Sequence, residues 1–242
     1  MESENNNHEE QEHSSTGLSH KKLLMWAFLG SDCMFFAALI ATYLVNMGNN
    51  PAGTPSPADV FSIPVTSVST FVLLMSSMSM VLSYAALSQN RIKAFRIWLL
   101  STAIMGATFV GFQIFEFNDF ANHKVEVHCS DLVDDSKRER LTDLQIKIGN
   151  EKCLNGIEEV SEKVPLTPQV NLFGSTFYTL TGFHGGHVTL GIIWLLSLLL
   201  YSFRGRVTPL NLDIAALYWH FVDIVWIVIF TVVYLYGVFP GY

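Results

Sequence analysis

Six ionisable side chains fall well inside long apolar stretches of this 242-residue chain, away from their ends at Arg96 and Asp213: Asp32, Glu116, His184, His187, His220 and Asp223. Such groups are costly in a hydrocarbon environment, so each is a functional candidate by default. The competing use of each is structural, as a hydrogen bond that ties helices together. His184 and His187 are three residues apart and share a helix face. Paired that way they could ligate a metal or a haem. Gly185 and Gly186 between them point instead to close packing against a neighbouring helix. No Glu-x-x-His pair recurs on two helices, as a di-iron bundle requires. The favoured reading is therefore a pair of hydrogen-bonded structural histidines. His220 and Asp223 have the same spacing, and a His–Asp hydrogen bond within one helix is the simplest expectation for both.

Asp32 differs because its sequence neighbours, Gly30, Ser31, Cys33, Met34, Phe35 and Phe36, offer no basic group and only one hydroxyl. Loss of hydration disfavours the charged form of a carboxyl. A carboxyl that can lose and regain a proton in such a setting is a candidate proton acceptor or relay. A permanently neutral Asp bonded to a backbone carbonyl is the alternative.

The elements that carry these groups follow from composition. Half of the residues are hydrophobic and 14% are charged, against roughly 25% charged in soluble domains. Nearly all 14 Lys and Arg fall outside five apolar segments, at about 23–46, 64–88, 94–117, 170–203 and 212–238. Each meets the roughly 20 residues that a helix needs to cross a bilayer, and none alternates as a membrane strand would. The fourth is long enough to tilt strongly or to project into water. The expected fold class is all-α: a polytopic membrane protein built as a bundle of five transmembrane helices. A nucleic-acid-binding or wholly disordered chain is excluded.

Residues 1–20 are polar and acidic and lack a cationic n-region and an apolar run, so a disordered tail is expected rather than a signal or transit peptide. Lys21, Lys22, Arg91, Lys93, Arg96, Arg204 and Arg206 lie in or beside the short connections at one side. The loop MGNNPAGTPSPAD on the other side has no basic residue, which predicts the N-terminus inside and the C-terminus outside. The net charge of −7 comes mostly from the tail and the loop 122–168. That loop holds ten acidic and seven basic residues and alternates polar with apolar in LTDLQIKIG, so a short helix or strand is expected there. Its balance of charge argues for no particular partner. Cys129 and Cys153 both lie in it. In an oxidising compartment they are a candidate disulfide, worth roughly 3–4 kcal/mol by restricting the unfolded chain; two free thiols are the alternative. Cys33, inside the first span, is expected to be a buried small hydrophobe.

Depth follows from a rise of 1.5 Å per residue. Asp32 lies about 14 Å, His220 about 12 Å and Asp223 about 16 Å from the inner face, and His187 arrives at a similar depth. A polar layer of Asp32, His187, His220 and Asp223 is predicted, with Glu116 apart from it near the outer end.

Four strings in these spans resemble subunit III of the haem-copper terminal oxidases: FGSTFYTLTGFHGGHVTLG, ALYWHFVDIVWIVIFTVVYLYG, MWAFLGSDCMFF and FQIFEF. The resemblance runs from about Leu18 to Gly237 and leaves out the tail and most of the 122–168 loop. It is to the five-helix bacterial form, which lacks the first two helices of the mitochondrial one. The resemblance implies a subunit without a redox centre in a bacterial inner membrane, packed on subunits I and II. Those partners would hold the haems and copper, while this chain would bind structural phospholipids and support proton uptake. It implies for Asp32 the place of the family's carbodiimide-reactive carboxyl, which is usually a Glu. A larger respiratory supercomplex is a further candidate partner. The alternatives from the residues are a stand-alone proton channel or transporter, a membrane metalloenzyme on His184 and His187, and subunit III of a quinol oxidase.

Overall fold

In a computed structural model of the chain, residues 19–47, 63–122, 124–127, 162–165 and 172–235 are described. Five long helices account for most of them. They are α1 (His20–Met47), α2 (Ile63–Ser88), α3 (Ile92–Asn122), α4 (Leu172–Phe203) and α5 (Pro209–Ile229), the last continuing as a π-helical turn over Phe230–Leu235. All five are long and apolar enough to cross a membrane, and they match the expected spans to within a few residues. The tail and the pair Cys129 and Cys153 lie outside the described residues.

Each boundary has a local cause. The tight turn between α2 and α3 places Asn90 at φ 56°, a left-handed conformation that Asn tolerates better than most residues. The turn between α4 and α5 uses Gly205 at φ 66°. Thr208 then caps α5, accepting from the Asn211 N–H, with Pro209 in the first turn, where its missing N–H is no loss. Between α3 and α4 two short strands, β1 (Lys124–Val127) and β2 (Glu162–Pro165), pair antiparallel with Lys124 opposite Pro165. The stretch LTDLQIKIG, where a short helix or strand is expected, lies outside the described residues.

The helices share one core centred on α5. Half of its apolar window is buried, against 17% for α1; α5 packs on α1, α2 and α4, whereas α1 touches chiefly α4 and α5. Trp219 shows why small residues recur in the neighbouring helices. Its fully buried indole fills the space where side chains at Gly106 of α3 and Gly191 of α4 would project, with a Cβ at either position only 2.6 Å and 2.9 Å from the ring. Met34, Val45, Phe71, Ile97, Phe115 and Leu200, by contrast, are each more than half exposed, an apolar girdle suited to lipid rather than to water.

Two polar clamps hold one end together. Lys22 of α1 pairs with Asp213 of α5 at 2.7 Å. Arg96 of α3 donates to the Ser202 hydroxyl at 2.8 Å and to its carbonyl at 2.7 Å, and lies over the Phe203 ring. The expectation for Cys33 is corrected here: it is exposed, because α1 stands at the periphery and residue 33 faces away from α4 and α5.

Candidate functional site

Asp32 of α1 and His187 of α4 meet at 3.4 Å, His187 Nε2 to Asp32 Oδ1. The imidazole is oriented from its other nitrogen, which lies 2.7 Å from the Phe183 carbonyl one turn back. A carbonyl only accepts, so Nδ1 carries a hydrogen and Nε2 is the atom presented to the carboxyl. The contact sets a carboxyl oxygen against an imidazole nitrogen, an acid–base juxtaposition within a membrane span. Tyr218 of α5 fixes this stretch of α4 by donating to the His187 carbonyl at 2.9 Å. Phe36 sets its ring edge-on to His187 at 5.2 Å. The Asp32 side chain is about nine-tenths buried, and its Oδ2 has no hydrogen-bond partner among the described residues.

The other expected residues separate from this pair. His184 does lie on the same side of α4, since Phe36 touches both rings, but it points deeper. It is fully buried, stacked on Trp226 at 4.9 Å, with Phe109 edge-on at 5.9 Å. Neither of its nitrogens has a hydrogen-bond partner among the described residues, which corrects the expectation of a hydrogen-bonded histidine: an aromatic cage holds it instead. With His184 enclosed by carbon and His187 turned to Asp32, the two do not converge on one point as ligands of a metal or haem would. Among the described residues no group of three His, Cys, Asp or Glu side chains is placed to hold a metal ion.

The His220–Asp223 hydrogen bond is likewise corrected. His220 Nδ1 lies 2.6 Å from the Ser77 hydroxyl of α2, and the buried Asp223 faces the same Ser77 hydroxyl. At 100° per residue His220 and Asp223 lie about 60° apart and both turn towards α2, while Tyr218, about 200° from His220, faces α4. The expected polar layer is thus two groups, one between α1 and α4 and the other between α2 and α5, and no described hydrogen bond joins them. Glu116 stands apart, as its depth requires. It accepts from Thr66 at 2.9 Å and from Tyr234 at 2.8 Å. Asp223 and Tyr234 are roughly 16 Å apart along the helix axis. Tyr218, Trp226 and Tyr234 were not singled out from the sequence, because buried aromatics at helical spacing are indistinguishable there from ordinary core.

Fold and site together define a five-helix integral membrane protein with a carboxyl–imidazole pair at its rim and a polar seam in its core. Comparison with known proteins makes this specific. The family profile described as cytochrome c oxidase subunit III matches residues 154–238. Cytochrome c oxidase subunit 3 of Alkalihalophilus pseudofirmus is 32% identical over 222 residues, covering 90% of this chain and 88% of that protein. The Bacillus subtilis counterpart is 30% identical, covering 90% and 87%. A probable quinol oxidase subunit 3 of Staphylococcus saprophyticus is 33% identical, covering 91% of each. The chain belongs to the cytochrome c oxidase subunit III family, and the resemblance carried by the span motifs is borne out.

Proposed function

We propose that this chain is the non-redox accessory subunit III of a proton-pumping haem-copper terminal oxidase in a bacterial plasma membrane, with its N-terminus inside. It packs on subunit I, holds phospholipid against its helices and supports proton supply during the reduction of oxygen. Haems and copper belong to the partner subunits. The observation that carries the proton-handling part is the Asp32–His187 contact, which sets a carboxyl against an imidazole between α1 and α4. An acid and a base in contact can hand a proton from one to the other with no change of net charge, which keeps the cost of that transfer in lipid low. The lipid-binding part is supported by an open groove on α4 beside His187, where Gly182 and Gly186 leave empty space on the outer surface. The orientation is supported by the gathering of Lys22, Arg96 and the two short turns at one end.

Replacing Asp32 by Asn in the assembled oxidase tests this reading. Turnover is expected to fall more at high pH, where proton supply limits, than at low pH. An unchanged pH profile would make Asp32 structural. The electron donor is a separate question, since relatives of both the cytochrome c and the quinol type match equally well. Purification in mild detergent, with visible spectra of the subunits that accompany the chain, identifies it. A colourless solitary chain that collapses a pH gradient in liposomes would instead favour a proton channel.

A further inference from the structure

The end of the bundle where α1, α3 and α5 begin carries almost only positive charge. Lys21, Arg91, Lys93, Arg204 and Arg206 are all exposed there. Asp213 is the one carboxyl at that end among the described residues, and Lys22 already takes it. Arg96 adds a guanidinium that spends Nε and Nη2 on Ser202 and meets no carboxylate. It lines an open groove of about 290 Å³ between the two turns, with Ile92, Phe95, Gly205 and Val207 among the other walls. The helices themselves do not call for this charge. Lys21 stands in the first turn of α1 and Lys93 in that of α3, the positive end of each helix dipole, where an anion is favoured and a cation is not.

The chain supplies a matching anion. Residues 1–18 hold five glutamates, Glu2, Glu4, Glu9, Glu10 and Glu12, and no Lys or Arg. They lead through Ser19 into α1 at this same end. Their length is sufficient to cross it. Packed helices lie about 8–10 Å apart, which puts the turn before α3 about 20–30 Å from the start of α1. An extended chain covers about 3.3 Å per residue, so Glu9 and Glu10 reach about 30 Å from Ser19.

We propose that residues 1–18 dock on this cationic end, with Glu9, Glu10 and Glu12 set against Arg91, Lys93, Arg204 and Arg206. The segment acts as an internal counter-anion. It relieves the repulsion between the two turns and competes with anionic phospholipid headgroups for the same surface. Tethering favours it, because carboxylates attached at Ser19 act at an effective concentration in the millimolar range. The inference goes beyond the oxidase reading and depends neither on it nor on the Asp32–His187 pair.

The test is zero-length cross-linking of the full chain in nanodiscs with a water-soluble carbodiimide, which joins a carboxyl to an amine in direct contact. Lys21 and Lys22 adjoin the segment in sequence, so Lys93 is the informative amine. Mass spectrometry is expected to find Glu9, Glu10 or Glu12 joined to Lys93, both in phosphatidylcholine and after one third of it is replaced by phosphatidylglycerol. Raising the salt from 0.1 M to 1 M shortens the screening length from about 10 Å to about 3 Å, and the yield is expected to fall roughly fivefold or more. Combining Arg91→Gln, Arg204→Gln and Arg206→Gln removes charges that cannot themselves react and should lower the yield by a similar factor. No Lys93 adduct overturns the proposal. An adduct that vanishes with phosphatidylglycerol overturns it too, and assigns the surface to anionic lipid. A yield indifferent to salt and to the three arginines also overturns it, as chance collision of a tethered chain.

Discussion

The rim between α1 and α4 and the seam among α2, α3 and α5 both hold carboxyl groups, yet they treat them differently. At the rim, among the described residues, Asp32 has His187 as its partner and one oxygen without any. In the seam, Glu116 is gripped by hydroxyls from two other helices, and Trp219, Trp226 and His220 each find a hydroxyl of α2. A group held by several donors is positioned but has little freedom to exchange. A carboxyl that faces a single imidazole is held by fewer partners. The rim therefore suits chemistry and the seam suits cohesion. The burial of the two regions agrees, since α1 is the least enclosed span and α5 the most.

The largest break in that contrast should come from Trp226→Ala. The indole is fully buried, stacks on His184 and bonds Thr70. Its removal is expected to cost about 3–5 kcal/mol, read by detergent-induced unfolding in bicelles. A loss below 1 kcal/mol would show that the seam does not organise the bundle.

Adjacent glycines sharpen the comparison. A Cβ at Gly185 would collide with the Gln113 side chain, whereas nothing lies within 4 Å of one at Gly186. Gly185→Ala is expected to destabilise by about 1–3 kcal/mol through overpacking, and Gly186→Ala to be close to neutral in the same assay. Equal effects would mean that α4 is rotated from the orientation described.

Hydrogen-bond deletions come next. Tyr234→Phe strips one donor from Glu116 and should cost about 1–3 kcal/mol. Asp32→Asn should change stability by less than about 1 kcal/mol, since an amide can still meet the imidazole, while altering the pH dependence of turnover. If the two variants exchanged these behaviours, the roles of rim and seam would be reversed. The smallest effect is expected at Lys22→Ala. Its ion pair with Asp213 leaves both side chains more than a quarter exposed, so the loss should be within about 1 kcal/mol and smaller still in high salt. Thermal unfolding at two salt concentrations checks it.

The sequence by itself determined the five spans, because crossing a bilayer demands about 20 apolar residues whatever the neighbours are. It also determined the inventory of membrane-embedded polar groups and, through the rise per residue, the separation of Glu116 from the others. The long motifs of α4 and α5 were specific enough to name the family. Pairing was decided only by the tertiary structure. Depth is set along a helix axis, but partnership depends on rotation about that axis and on which helix stands opposite. That is why His220 found Ser77 rather than Asp223, why His184 found Trp226 rather than a hydrogen bond, and why Cys33 is exposed. The π-helical turn at Phe230–Leu235 shifts residues around the axis near the end of the last span, where Tyr234 meets Glu116. An apolar run offers no local signal for such a turn, because it is the packing of five helices at once that selects it.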